Sequence, residues 1–176
     1  MNTKNNRRMQ MSKKMIRDSL IELLETTSIN QISVRSICEN ANVNRSTFYK
    51  YYSSQYNLME EIENELLSAL NYGVSRTDGN VNYIQLLEFI SENKEIFRVL
   101  LGDNANTAFA QKINTLPAVT EILEQRLSKI KCSDTELQYL KKYLLAGGFE
   151  LIRMWIMNGC KEAPEEAANI FLKIMK

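Results

Sequence analysis

Apolar residues recur at three- and four-residue intervals along nearly the whole chain, the spacing that buries one face of an α-helix. No stretch sustains the strict alternation of a half-buried strand. Ile16, Leu20, Leu23 and Leu24 form the first such stripe and predict a helix over about Ser12–Thr26. "TTSINQI" then reads as a connection. Ser33 can cap a short second helix, and Ile32 and Ile37 have the spacing of a hydrophobic staple. Asn44 can cap a third, with Val43 and Phe48 as its staple pair. Between them, Asn42 accepts the left-handed backbone that a tight turn needs. Residues 33–52 therefore predict a helix-turn-helix.

Downstream, Ser53 or Ser54 can cap a long helix running to about Asn71, and "SRTDGN", rich in turn formers, marks the clearest boundary. Further helices are predicted over about Tyr83–Glu92, Glu95–Leu101 and Ala105–Thr115. Pro117 restarts the chain, a long helix runs from Ser133 or Asp134 to about Met157, and a last one starts at Pro164. Asn158-Gly159 is a stop signal, and Pro164 suits a first helical position. The expected fold is all-α: a helix-turn-helix domain over residues 1–57 and a helical body over 58–176.

Composition narrows the function. With 44% hydrophobic and 24% charged residues the chain is globular, and no apolar run reaches the ~18 residues of a membrane span. The basic start "MNTKNNRRMQMSKK" lacks the apolar core of a signal peptide, so a cytoplasmic location and no membrane partner are expected. Cys38, Cys132 and Cys160 are odd in number and sit in apolar-periodic stretches, which predicts reduced, buried thiols. The absence of histidine removes Ser-His-Asp and Cys-His catalysis and most zinc sites. No glycine-rich phosphate loop or acidic metal loop is present. Glu60-Glu61 and Glu165-Glu166 read as solvated helix faces. No enzyme, cofactor or metal is expected.

Charge is unevenly spread. Up to Asn57 nine basic residues face four acidic ones, a net of +5, and the remainder carries −4. A basic head on an acidic body points the head toward a polyanion. In "NVNRSTFYKYYSSQYNL" (residues 42–58), Arg45, Ser46, Tyr49 and Lys50 share one helical face, while Phe48 and Tyr52 fall toward the first helix. The run thus divides into a contact face and a core face.

The segment "SVRSICENANVNRSTFYKYYSSQYNL" resembles the DNA-binding signature of TetR-family transcriptional regulators. Ile37, Ala41, Val43, Asn44, Thr47, Phe48, Tyr49 and Leu58 fall in register together. The resemblance implies a homeodomain-like head and a homodimer whose recognition helices enter successive major grooves of a palindromic operator. It also implies a helical body that binds a small-molecule effector and dimerises through its last two long helices. Carried over by position, Arg45, Ser46 and Lys50 lie nearest base edges. Ser33, Thr47, Tyr49 and Tyr51 meet phosphates, and Asn44 belongs to the same contact set. Asn42 departs from a usual glycine and Gln55 from a usual lysine, which shifts weight to Arg7, Arg8, Lys13 and Lys14. "YLLAGGFELIRMWIMNG" and "APEEAANIFLKIMK" resemble a short-bodied subgroup that includes activators of dihydroxyacetone-kinase operons, which work with a protein partner. A repressor released by a small molecule is the leading expectation. An activator, or a ligand-independent regulator controlled by a protein co-regulator, is the alternative.

Within the body two assignments stay open. Leu140, Leu144, Gly148, Leu151, Ile152 and Trp155 form a wide apolar face, either a dimer interface or intrachain core. Gly147 and Gly148 each cost about 1 kcal/mol relative to alanine in mid-helix, which close helix approach would explain. Tyr83, Leu86, Phe89, Phe97, Leu100 and Phe109 are candidates to line an effector pocket, or else core. A recombinase or sigma fragment would need segments absent here. A pure helical interaction module would make the basic face coincidental.

Overall fold

A computed structural model describes residues 3–73, 76–77, 80–102 and 107–174. Its described residues form ten helices and one short antiparallel ribbon in which Arg76–Thr77 pairs with Asn80–Val81. The rest of "SRTDGN" and the expected helix start at Ala105 lie outside the described residues. The chain forms two compact units, Met1–Glu65 and a second comprising Leu66–Gly102 and Asn106–Lys176.

The first unit contains α1 (Thr3–Leu24), α2 (Val34–Asn40), α3 (Arg45–Tyr49) and the start of α4 (Gln55–Gly73). Helix α1 begins well before the expected Ser12. The side chains of residues 6–11 are all exposed, so no apolar stripe announces this part. From Ile16 onward the stripe is real: Ile16 and Leu20 are fully buried with Ile37 and Phe48. Ser19, itself buried, donates its hydroxyl to the Ile37 carbonyl at 2.9 Å, and that oxygen also accepts from the Ala41 amide. A buried hydroxyl would otherwise destabilise the core. Ser54 caps α4 by accepting from the Asn57 amide at 3.2 Å. The division between units falls after Glu65, inside α4 and farther along than Asn57.

The second unit continues α4 and adds α5 (Tyr83–Glu92), α6 (Lys94–Leu101), α7 (Thr107–Asn114), α8 (Pro117–Leu127), α9 (Asp134–Met157) and α10 (Pro164–Ile174). Local chemistry sets the ends. Ser133 and Glu136 cap the start of α9 reciprocally. At its other end Gly159 and Cys160 take positive φ of 82° and 53°, and the Cys160 amide returns to the Trp155 carbonyl at 2.9 Å. The chain thereby turns back, and α10 packs against α5 and α9. Trp155 donates its indole N–H to the Glu162 carbonyl at 3.1 Å and meets Phe171 edge-on.

These contacts revise the expected apolar face. Leu144 and Trp155 are buried inside their own chain, and Leu140 packs on the Leu123–Leu127–Leu144 cluster. Helices α8 and α10 of the same chain pack against this face. Leu151 and Ile152 are half-buried. The exposed stripe of α9 is instead Tyr139, Tyr143 and Met154, with Gly147 between them. Among the described residues, an added Cβ at Gly147 would meet no atom within 4 Å beyond its own stretch of helix. The cysteines also differ from expectation: Cys38 is buried and Cys160 half-buried, but Cys132 lies exposed between α8 and α9.

Candidate nucleic-acid interface and ligand cavity

Helix α2 starts on a two-way cap. Ser33 accepts from the Ser36 amide at 3.0 Å, and the Ser36 hydroxyl accepts from the Ser33 amide at 3.1 Å. The partner role of Ser36 went unread because a capping box is usually sought with Glu or Gln at that place. Asn42 holds φ at 52° in the turn, and the Val43 amide closes it onto the Cys38 carbonyl at 3.0 Å. Asn44 stands at the start of α3 as expected. Its carbonyl takes the Thr47 and Phe48 amides, but its side chain makes no capping bond. That side chain is exposed, at the same end of α3 as Arg45.

Helix α3 stops at Tyr49, short of the Tyr52 that closes the expected helix-turn-helix, and its residues sort as the pattern predicts. Phe48 is fully buried and Tyr52 nearly so, their rings 5.6 Å apart. Arg45, Ser46, Tyr49 and Lys50 are exposed, while Thr47 and Tyr51 are half-buried. Lys50 Nζ lies 6.0 Å from the Tyr51 ring centre. Ser33, at the head of α2, is exposed too. The predicted contact residues therefore include two kinds of donor, basic heads and hydroxyls, carried at the capped start of α2 and along α3 around one anchored turn.

Lys13 is a different case. Its ammonium pairs with Glu61 at 2.9 Å and sits 5.4 Å from the Tyr52 ring centre. The Tyr52 hydroxyl donates to the same carboxylate at 3.2 Å. Burial first, then Glu61, pushes the Tyr52 phenol upward and keeps it protonated. Arg17 pairs with Glu65 one turn further along α4. These bonds tie α1 to α4, so of the four basic residues set against phosphate, Arg7, Arg8 and Lys14 remain as exposed cations. Tyr56, also exposed, donates its hydroxyl to Asn30 at 3.2 Å.

The second unit contains a partly open cavity of about 100 Å³. Tyr83, Leu86 and Phe97 of the expected set line it; Phe89, Leu100 and Phe109 do not. Phe97 and Phe109 are core residues; Phe97 meets Phe89 edge-on and Phe109 at a tilt, ring centres about 6 Å apart. Leu144, Gly148 and Ile152, expected at an interface, are cavity walls. The polar members are Tyr83, Asn114 and Arg126. Burial raises the Tyr83 phenol above its usual range, opposed by the nearby Arg126 charge. Arg126 also donates to the Leu172 carbonyl at 3.4 Å. Its place was legible: it follows Ile122 by four residues and Leu123 by three, on the apolar stripe of α8.

Comparison with known proteins agrees with both halves. A family model described as "Bacterial regulatory proteins, tetR family" matches residues 16–62. A second, "Transcriptional regulator C-terminal region", matches residues 81–176. The dhaKLM operon transcriptional activator DhaS of Lactococcus lactis is 23% identical over 170 residues, 94% of this chain and 91% of that protein. Among solved structures, a TetR transcriptional regulator from Streptococcus agalactiae 2603V superposes with a TM-score of 0.72 at 23% identity, over 99% of this chain and 98% of that one. NalD, the secondary repressor of the MexAB-OprM efflux pump in Pseudomonas aeruginosa, gives 0.61 at 18% identity, over 95% and 96%.

Proposed function

We propose, from the premise that this chain belongs to the TetR family of bacterial regulatory proteins and is a DNA-binding transcriptional regulator, that it is a dimeric repressor released by a small molecule. Its operator is a palindrome. Each subunit sets α3 into a major groove, Arg45, Ser46 and Lys50 toward base edges and Ser33, Asn44, Thr47, Tyr49 and Tyr51 toward the backbone. The observation that carries this is the sorting of α3: a fully buried Phe48 behind an exposed row of basic and hydroxyl side chains.

Dimerisation falls to the outer stripe of α9 with the exposed Ile170 and Ile174 of α10. A glycine kept in mid-helix, with no atom of another described element near the missing Cβ, fits a second helix approaching there. The effector enters the cavity, and α4, which contributes Leu70 to its wall, carries the response along its length. Operators one helical turn of DNA apart, ~34–36 Å, fit only one separation of the heads.

The likeness to DhaS favours a second reading, activation, because that relative is an operon activator. Light scattering and footprinting upstream of the protein's own gene test the first half of the proposal: a dimer protecting an inverted repeat is expected, and a monomer without protection refutes it. A reporter driven from the protected promoter separates repression, with expression rising on deletion of the gene, from activation, with expression falling.

A further inference from the structure

We infer that the cavity of the second unit receives an uncharged, largely hydrocarbon molecule that carries at most one or two neutral hydrogen-bonding groups. The inference rests on reading that cavity as the effector site, and adds the chemical class of the effector.

The wall supplies the main argument. All seven helices from α4 to α10 contribute to it, and nearly everything they present is carbon: Leu86, Ile90, Ile122, Leu145, Phe149 and Ile152 are typical. A molecule set against such a surface gains by taking its own apolar area out of water. A charge carried in with it loses a hydration shell that hydrocarbon does not replace. No aspartate or glutamate stands among the described wall residues, so an ammonium group has no counter-ion there.

Arg126 does not turn the site toward anions. Its guanidinium donates to the Leu172 carbonyl at 3.4 Å and has a further partner within the chain. A carboxylate would have to draw it away from groups that already hold it, and would still lie mostly against carbon.

The other polar members are neutral. Burial raises the Tyr83 phenol and keeps it protonated, and Asn114, at the end of α7, carries an amide. Groups of this kind exchange hydrogen bonds with the oxygen of a ketone, alcohol or ester and ask for no charge. A small polyol fails for the opposite reason. Its several hydroxyls would be stripped of water with too few partners in the wall to replace it. An apolar surface with a few polar groups is the form a small-ligand pocket takes. The cavity is partly open, so the wall fixes the chemistry of what it takes and leaves the length free.

The test is isothermal titration of the whole 176-residue chain with 2-heptanone, heptanoate, heptylamine and glycerol, the first three matched in carbon number. The ketone should bind about tenfold or more tightly than either charged compound, and glycerol should not bind. Ile152→Glu places a carboxylate in the wall and should reverse the order, heptylamine then binding more tightly than the ketone. Should that variant fail to fold, the milder Ile152→Thr should weaken the ketone several-fold. Parent-like affinity for the ketone in whichever variant folds would put its binding elsewhere and overturn the assignment. Heptanoate or heptylamine binding as tightly as the ketone, a preference for glycerol, or no binding of the ketone at millimolar concentration would overturn it too. DNA affinity is followed separately with each compound. Ketone-selective binding that leaves DNA affinity unchanged supports the ligand class and refutes the effector reading. Release from DNA by a charged compound or glycerol, and not by the ketone, refutes the class and keeps that reading.

Discussion

Replacing Gly147 by alanine separates two explanations of a glycine in the middle of α9. Alanine is favoured over glycine in a helix interior by about 0.8–1.0 kcal/mol. Among the described residues of the single chain a Cβ at this position has no neighbour within 4 Å beyond its own stretch of helix, so no described contact opposes the gain. The subunit alone should therefore become more stable by about 1 kcal/mol. If a second α9 lies against this stripe, the same methyl is pressed into a close contact, and overpacking of that kind costs about 1–3 kcal/mol. The expected result is a pair of opposite signs: a urea midpoint that rises under dilute, monomeric conditions, and a dimer dissociation constant that rises about five- to a hundredfold. Sedimentation equilibrium over a dilution series, with urea melts at both ends of the range, reads both quantities. An alanine variant that is more stable and dimerises as tightly as the parent would refute the placement of the interface on Tyr139, Tyr143, Gly147 and Met154.

Phe48→Ala should destabilise the first unit by about 3–5 kcal/mol, because the ring is fully buried behind α3; Phe48→Leu should recover most of that, and a melt of the leucine variant as low as that of the alanine one would show the site is not core. Lys50→Ala should relax preference at particular operator positions, each worth about 1–3 kcal/mol, whereas Tyr49→Phe should weaken all sequences alike. Binding to a panel of operator mutants checks both, and the reverse pattern would invert the faces of α3. The Ser133 backbone and hydroxyl hold the Glu136 carboxylate below its ordinary range. A depressed acid stabilises the fold above its unfolded value of 4.5 and loses that contribution as pH falls through the lower folded value. Glu136→Gln should therefore flatten the acid limb of the melting curve, and an unchanged limb would sink the capping assignment.

The helix-turn-helix was legible because its signals are local. Ser33, Asn42 and Phe48 act within a turn or two of themselves, and the structure finds a cap, a left-handed residue and a buried anchor at these places. The first turns of α1 were illegible for the opposite reason. A helix whose side chains 6–11 bury nothing leaves no apolar period to read. Periodicity also says that a face is covered without saying by which chain. Leu144 and Trp155 looked like interface, yet α8 and α10 of the same subunit cover them. The true outer stripe, part tyrosine and part glycine, was too polar to stand out. Aromatics of α5 and α6 drew the eye for the cavity, while Arg126 was not singled out. Only its position on an apolar stripe, at i+3 and i+4 from Leu123 and Ile122, distinguished it.

Helix α3 has five residues, far fewer than the ~12–15 an isolated helix needs to persist in water. Its order is borrowed from the Phe48 and Tyr52 rings and from the core around Ile16 and Leu20. The backbone of the proposed reading surface is thus ordered before DNA arrives, and what the encounter orders is the exposed side chains alone. Docking should show a heat-capacity change set by the area the two rigid surfaces bury, without the larger drop that accompanies folding on binding. Amide exchange in α3 should follow the opening of the whole first unit, since five residues cannot open and close as a helix by themselves. A lesion in the core of that unit, behind α3 rather than on its exposed face, should then weaken binding to every operator sequence, where Lys50→Ala is expected to relax preference only at particular positions.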